Sequence, residues 1–221
     1  MESNRAVRPP AVPIVYETMG ITRSVFLLSP ASTSGQRARL LRSPRASFEL
    51  ARRVHTAAGA PIGEVFAFLS GLYFRGKLAY ARRFAQDPGA IRIITSDRGL
   101  VPPELSITLD DLAAMAASAI DAGNPTYRSP FAADTGHLAA SLGPGDRVIL
   151  LGSVATGKYA DVLREGLADR LAFPAEFIGR GDMSRGGLLL RAADAGTELD
   201  YMPFAGERRR GKRPPRLEPR K

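Results

Sequence analysis

Residues 147–159, RVILLGSVATGKY, run from an apolar segment through a glycine and small residues into a helical pattern that opens at a lysine. The segment 148–151 is rich in β-forming side chains. Ala160, Leu163, Leu167 and Leu171 then return at three- and four-residue steps, as along one face of a helix. A strand followed by a loop and a helix is the unit of an α/β sheet with crossover connections, and that order limits the folds open to the chain.

The loop itself carries a chemical reading. Gly152, Ser153, Thr156, Gly157 and Lys158 fit the phosphate-loop spacing, in which backbone N–H groups at a helix N-terminus face an anion and the helix dipole assists. The next position holds Tyr159 where a hydroxyl ligand for magnesium is expected, and 62 residues of the 221 follow it. The loop is therefore read as an anion or phosphate contact, as a degenerate nucleotide loop, or as a structural turn after a strand.

Further apolar runs extend the pattern. Residues 24–28 (SVFLL), 91–95 (IRIIT) and 173–178 (FPAEFI) are strand candidates, and 64–69 is either an added strand or the start of a helix. Helical patterns cover 36–41, 48–54, 72–84, 108–122, 131–142, 158–171 and 188–195. Thr108 followed by acids marks a clear N-cap. These elements predict a single three-layer α/β domain over 21–206, with a mainly parallel sheet between helices. Residues 1–20 are expected to be an irregular arm and 207–221 a basic, disordered tail.

In such sheets ligands collect outside the carboxyl ends of strands. Three further loops fall there. SPASTSG at 29–35 offers hydroxyls, or simply precedes a helix. Asp97 and Arg98 follow the run 91–95, where the carboxylate would activate water and the guanidinium would hold a phosphate; the same residues also suit a tight turn. Residues 179–187, GRGDMSRGG, bring Arg180 and Arg185 to a second anion-binding loop, with Asp182 read as either a catalytic carboxylate or a helix cap.

Residues 63–84 interleave aromatics with Arg75, Lys77, Arg82 and Arg83. Most of these aromatics read as core beneath a basic outer face. Tyr73 and Phe74, next to the Ser70-Gly71 turn, are candidates for stacking on a nucleobase.

Composition narrows the chemistry. The chain has no cysteine and two histidines, which argues against thiolate metal sites, cysteine nucleophiles and disulfides, so no metal or cofactor is expected. No segment resembles a signal peptide or a membrane span, and a cytoplasmic protein without membrane contact is expected. The formal charge is +9, of which +6 lies in 207–221, where Arg208, Arg209, Arg210, Lys212 and Arg213 would meet the phosphates of a nucleic acid or serve only solubility.

The blocks FAFLSGLYFRGKLAYARRFA, RIITSDRGLVPPE, VILLGSVATGKY and FIGRGDMSRGGLLLRAA resemble a family of bacterial hypothetical proteins across most of 24–204; that resemblance implies no activity. Over some fifteen residues, TSDRGLVPPEL is also similar to a segment of the uracil-DNA-glycosylase-like domain of archaeosine synthase, a tRNA-modification enzyme. This implies a uracil-DNA-glycosylase-like fold and a base- or nucleotide-handling ancestry, although the glycosylase water-activating and histidine motifs are missing. The expected function is a hydrolase or transferase associated with nucleic acid or nucleotide, acting at a base or N-glycosidic bond. A nucleic-acid-binding module that uses the basic tail is the alternative, and a nucleotide kinase or transferase with a degenerate phosphate loop the third reading.

Overall fold

The structure is a computed structural model that describes residues 22–153, 157–204, 211, 214, 215 and 217. The expected arm 1–20, the loop residue Thr156 and the tail residues Arg208, Arg209, Arg210, Lys212 and Arg213 lie outside the described residues.

The described elements are, in order, β1 (Ser24–Leu28), α1 (Gln36–Arg42), α2 (Glu49–Val54), β2 (Ala60–Pro61), α3 (Ile62–Ser70), α4 (Leu72–Phe84), β3 (Ile91–Ile94), β4 (Leu100–Val101) and β5 (Ser106–Ile107). They continue with α5 (Leu109–Ala117), α6 (Pro125–Ser141), β6 (Arg147–Leu151), α7 (Gly157–Leu167), β7 (Leu171–Pro174), α8 (Asp182–Ala195) and β8 (Tyr201–Pro203). Six of the strands form one sheet in the order β4-β3-β1-β6-β7-β8, and β2 pairs with β5 apart from it. β1 runs parallel to β3 and β6, and β6 parallel to β7; β4 and β8 close the two edges antiparallel. The fold is a three-layer α/β domain.

Alternation along the strands builds the two cores. On β1 every side chain is buried, with Val25 and Leu27 facing one layer and Phe26 and Leu28 the other. The first layer holds Tyr127 and Phe131 of α6 with Leu163 and Leu167 of α7. The second holds Phe66 of α3, Phe74 and Leu78 of α4, and Leu189 of α8. A strand buried on both faces must be apolar throughout, which is why SVFLL and RVILL read as unbroken runs.

Several boundaries differ from the sequence pattern. Residues 64–69 belong to helix α3, whose Ile62, Val65 and Phe66 supply its buried face. The last parallel strand is shorter than 173–178: Pro174 ends it, and Ala175–Phe177 form a 3-10 turn that includes Glu176. Helix α7 stops at Leu167, and a turn at Ala168–Arg170 delivers Leu171 to the sheet. The helix expected over 108–122 ends at Ala117. Its start is as anticipated, since Thr108 and Asp111 form a reciprocal capping box.

One helix contact shapes the carboxyl edge of the sheet. α4 crosses α8 with Gly76 facing Gly186, where a Cβ on Gly186 would lie 2.7 Å from the backbone of Leu72 and Tyr73. The bare backbones let the two helices approach closely, and this brings the α4 side chains Tyr73 and Lys77 to the N-terminal turn of α8.

Candidate active site at the strand carboxyl ends

Because β1, β3, β6 and β7 are parallel, their carboxyl ends share one edge of the sheet. After β1 the chain moves to the α3–α4 face, whereas after β6 it moves to the α7 face. The loops diverge between neighbouring strands and leave a crevice at the switch point, the usual ligand position in doubly wound sheets.

Two cavities occupy that crevice and share Pro30, Ala31, Ser32 and Tyr159. The outer one, about 580 Å³, is walled by Ser32, Thr33 and Ser34, by Ser96 after β3, and by Lys158 on α7. The inner one, about 220 Å³, is lined by Ser29, Ser70, Tyr73, Ser153 and Asp182. The outer volume falls in the range that holds small-molecule ligands.

Behind the inner cavity lies Lys77, only 1% exposed. Its Nζ donates to the Ser29 carbonyl at 2.5 Å and to Ser29 Oγ at 3.0 Å, and it stands 4.4 Å from the centre of the Tyr73 ring and 4.8 Å from that of Phe74. Burial lowers the Lys77 pKa to about 7; Asp182 pulls it upward and Arg185 pushes it further down. Ser29 is fixed in turn, because its N–H donates to the Leu151 carbonyl at 3.2 Å and its hydroxyl to the same oxygen at 3.4 Å.

Gly152 permits this arrangement. A Cβ there would come within 2.9 Å of Ser29 Cβ and 3.1 Å of Ser29 Oγ. The glycine after β6 is therefore needed for the serine after β1.

The Tyr73 hydroxyl is buried, its residue only 6% exposed, and it has no hydrogen-bond partner among the described residues. Burial raises its pKa well above the usual phenol value, against the opposing pull of Arg185, so it remains an O–H donor. Tyr159 is likewise pushed up to about 12 by burial and by Asp182. Arg185 is buried, donates through Nε and Nη2 to the Phe177 carbonyl at 3.3 and 3.1 Å, and places Nη1 3.6 Å from Asp182 Oδ1. The Asp182 carboxylate is open to solvent beside the cavity, with 69% of its side chain exposed.

The residues picked out from sequence divide into groups. Lys158 lines the outer cavity, and Ser153 and Asp182 line the inner one. A Cβ at Gly157 would run into the Asp161 carboxylate, which folds back over the start of α7. Asp97 is turned to a neighbour: its two oxygens accept from Arg98 Nε at 3.0 Å and Nη2 at 2.8 Å, while Arg98 Nη1 reaches Asp111 at 2.7 Å. Asp111 is held below the usual carboxylate range, first by the Thr108 backbone N–H and then by Arg98. Arg180 lies in a separate depression with Leu72, Met183 and Pro215, where it donates to Ser184 Oγ at 3.2 Å. Phe74 is fully buried and packs edge-on against Phe66, so neither of its faces is open to a base.

The sequence pattern places the 29–35 loop at the ligand edge of the sheet but does not pair Ser29 with Lys77. A signal was present: Lys77 follows Tyr73 by four residues and falls on the apolar stripe of α4 with Tyr80 and Ala81. Comparisons with protein-family models, with curated proteins and with solved structures find no match to this chain.

Proposed function

We propose that the protein is a hydrolase or transferase that binds a nucleotide, free or at the end of a nucleic acid, in the crevice between the ends of β1 and β6. The observation carrying this reading is the pairing of an outer cavity edged by a lysine and hydroxyls with an inner cavity of reactive groups. Lys158 is exposed at the start of α7, where cation and helix dipole both favour an anion, and Ser32, Thr33 and Ser34 line the opposite wall. The phosphate end of the ligand takes this rim, and the group to be processed enters the inner cavity.

Chemistry at a base or N-glycosidic bond would draw on Asp182 rather than Asp97. Asp182 borders the inner cavity and keeps an exposed carboxylate, whereas both oxygens of Asp97 are engaged by Arg98.

The test is equilibrium binding of nucleoside mono- and diphosphates and of short single-stranded oligonucleotides, with Lys158→Ala alongside. Binding weakened about tenfold by the substitution, and further weakened by salt, is expected. No binding of any of these at millimolar concentration would refute the proposal.

A further inference from the structure

We propose that Ser29 and Lys77 form a nucleophile–base pair for acyl transfer, with the Tyr73 hydroxyl donating to the oxyanion. Three independent features meet at one point. Lys77 Nζ lies 3.0 Å from Ser29 Oγ, within the range for direct proton transfer. Ser29 is one of the residues that line the inner cavity, while Lys77 sits behind it away from solvent. Tyr73 lines the same cavity and carries a buried hydroxyl with no hydrogen-bond partner among the described residues. Leaving such a group unpaired is costly, and a ligand oxygen in the cavity would satisfy it. A lysine that served only to cap β1 would need the Ser29 carbonyl alone; the second contact to Oγ, and the glycine at 152 that leaves room for it, have no part in such a cap.

Neutral Lys77 accepts the Ser29 Oγ proton as Oγ bonds to the carbonyl carbon of an ester or other activated acyl group, and the carbonyl π pair moves to oxygen, where Tyr73 O–H donates to it. Collapse restores the carbonyl and breaks the bond to the leaving group, which takes the proton from Lys77. Water then attacks the acyl-serine with Lys77 as base, releasing the acid and free Ser29. Burial keeps Lys77 partly neutral at neutral pH. Of the charged groups facing it, Asp182 and Arg185 reach it from α8 with opposite effects; Tyr73, on its own helix, stays protonated.

A fluorophosphonate probe tests this on the intact chain, because Ser29 Oγ would bond to phosphorus as fluoride leaves and Lys77 takes the proton. The probe carries no nucleotide, so the outcome is independent of nucleotide binding. Intact mass and peptide mapping should show a single adduct on Ser29, with a labelling rate that rises through a midpoint near pH 7. Lys77→Met should slow labelling about a hundredfold or more, and Lys77→Arg should not rescue it, since a guanidinium does not accept the proton. Asp182→Asn should keep the adduct and move the midpoint to lower pH, because the carboxylate that raises the Lys77 pKa is gone. Ser29→Ala, checked for an unchanged melting curve, should abolish the adduct. Absence of an adduct, an adduct on another residue, or an unchanged rate in folded Lys77→Met would overturn the proposal.

Discussion

Gly76 and Gly186 meet backbone to backbone where α4 crosses α8, so that a Cβ on Gly76 would lie 2.6 Å from the Gly186 carbonyl oxygen. Nothing in that contact can rotate aside, because the obstructing atoms are main chain. Gly76→Ala gains about 1 kcal/mol of helix propensity and loses more through forced separation of the helices, for a net cost of about 1–3 kcal/mol. Gly186→Val should cost more. Urea unfolding of the two variants measures both effects, and an Ala variant more stable than the parent would contradict the close crossing.

Lys77 makes stability depend on pH. Its folded-state pKa, about 7, lies below the ordinary 10.5, so between these values the unfolded chain binds more protons than the folded one. Stability therefore rises with pH across that window, by up to about 1.4 kcal/mol per pH unit from this residue. Below pH 7 the full penalty of burying the charge is present. Denaturant midpoints at pH 6, 7.5 and 9 should climb in the parent and flatten in Lys77→Met. Equal slopes in the two proteins would show that the amine is not held in this way.

Asp97 and Arg98 should matter to stability rather than to ligand binding. The fork from Arg98 ties Asp97 to Asp111 across the start of α5. Arg98→Ala is expected to cost about 1–2 kcal/mol by stranding a mostly buried carboxylate, and Arg98→Lys to recover little of it, since an ammonium cannot make the paired contact. Thermal melts of both variants, together with nucleotide binding by Asp97→Asn, check this. A large loss of binding with unchanged melting would assign Asp97 to the ligand instead.

Gly152→Ala probes the seat of Ser29 without touching it. The added methyl would press on Ser29 Cβ and Oγ at 2.9 and 3.1 Å and turn the hydroxyl away from Lys77. Probe labelling of Ser29 should slow about tenfold or more while the far-ultraviolet circular dichroism stays as in the parent. Labelling at the parental rate would show that the serine adjusts freely.

The central strands were legible because burial on both faces leaves an unbroken apolar run, as in SVFLL, IRII and RVILL. The Thr108 cap was equally plain, since its hydroxyl and an acid three residues on satisfy each other locally. The edge strands Leu100–Val101 and Tyr201–Pro203 and the small pair Ala60–Pro61 with Ser106–Ile107 are too short to show a period. Leu100–Val101 exists by turning back on β3, and the others through partners far away in the chain. The candidate site was half visible for the same reason. Lys158 and Asp182 could be placed from local loop patterns, but the contact of Ser29 with Lys77 joins residues 48 apart, and a lysine in sequence carries no mark of its burial. Phe74 looked like a stacking ring next to a turn, and only the packing of α4 against α3 turns it into core.

β1 is the first described strand of the chain, yet it lies in the interior of the sheet, with Leu28 registered against Leu151. During synthesis its hydrogen-bonding edge toward β6 stays unfilled while more than a hundred further residues are added, an interval on the order of ten seconds at typical elongation rates. Nascent chains that stop short of residue 147 would present an apolar, unpaired strand edge to solvent or to one another. The wait is a point where a holding chaperone would act, and where a slow codon run before β6 would trade yield for aggregation.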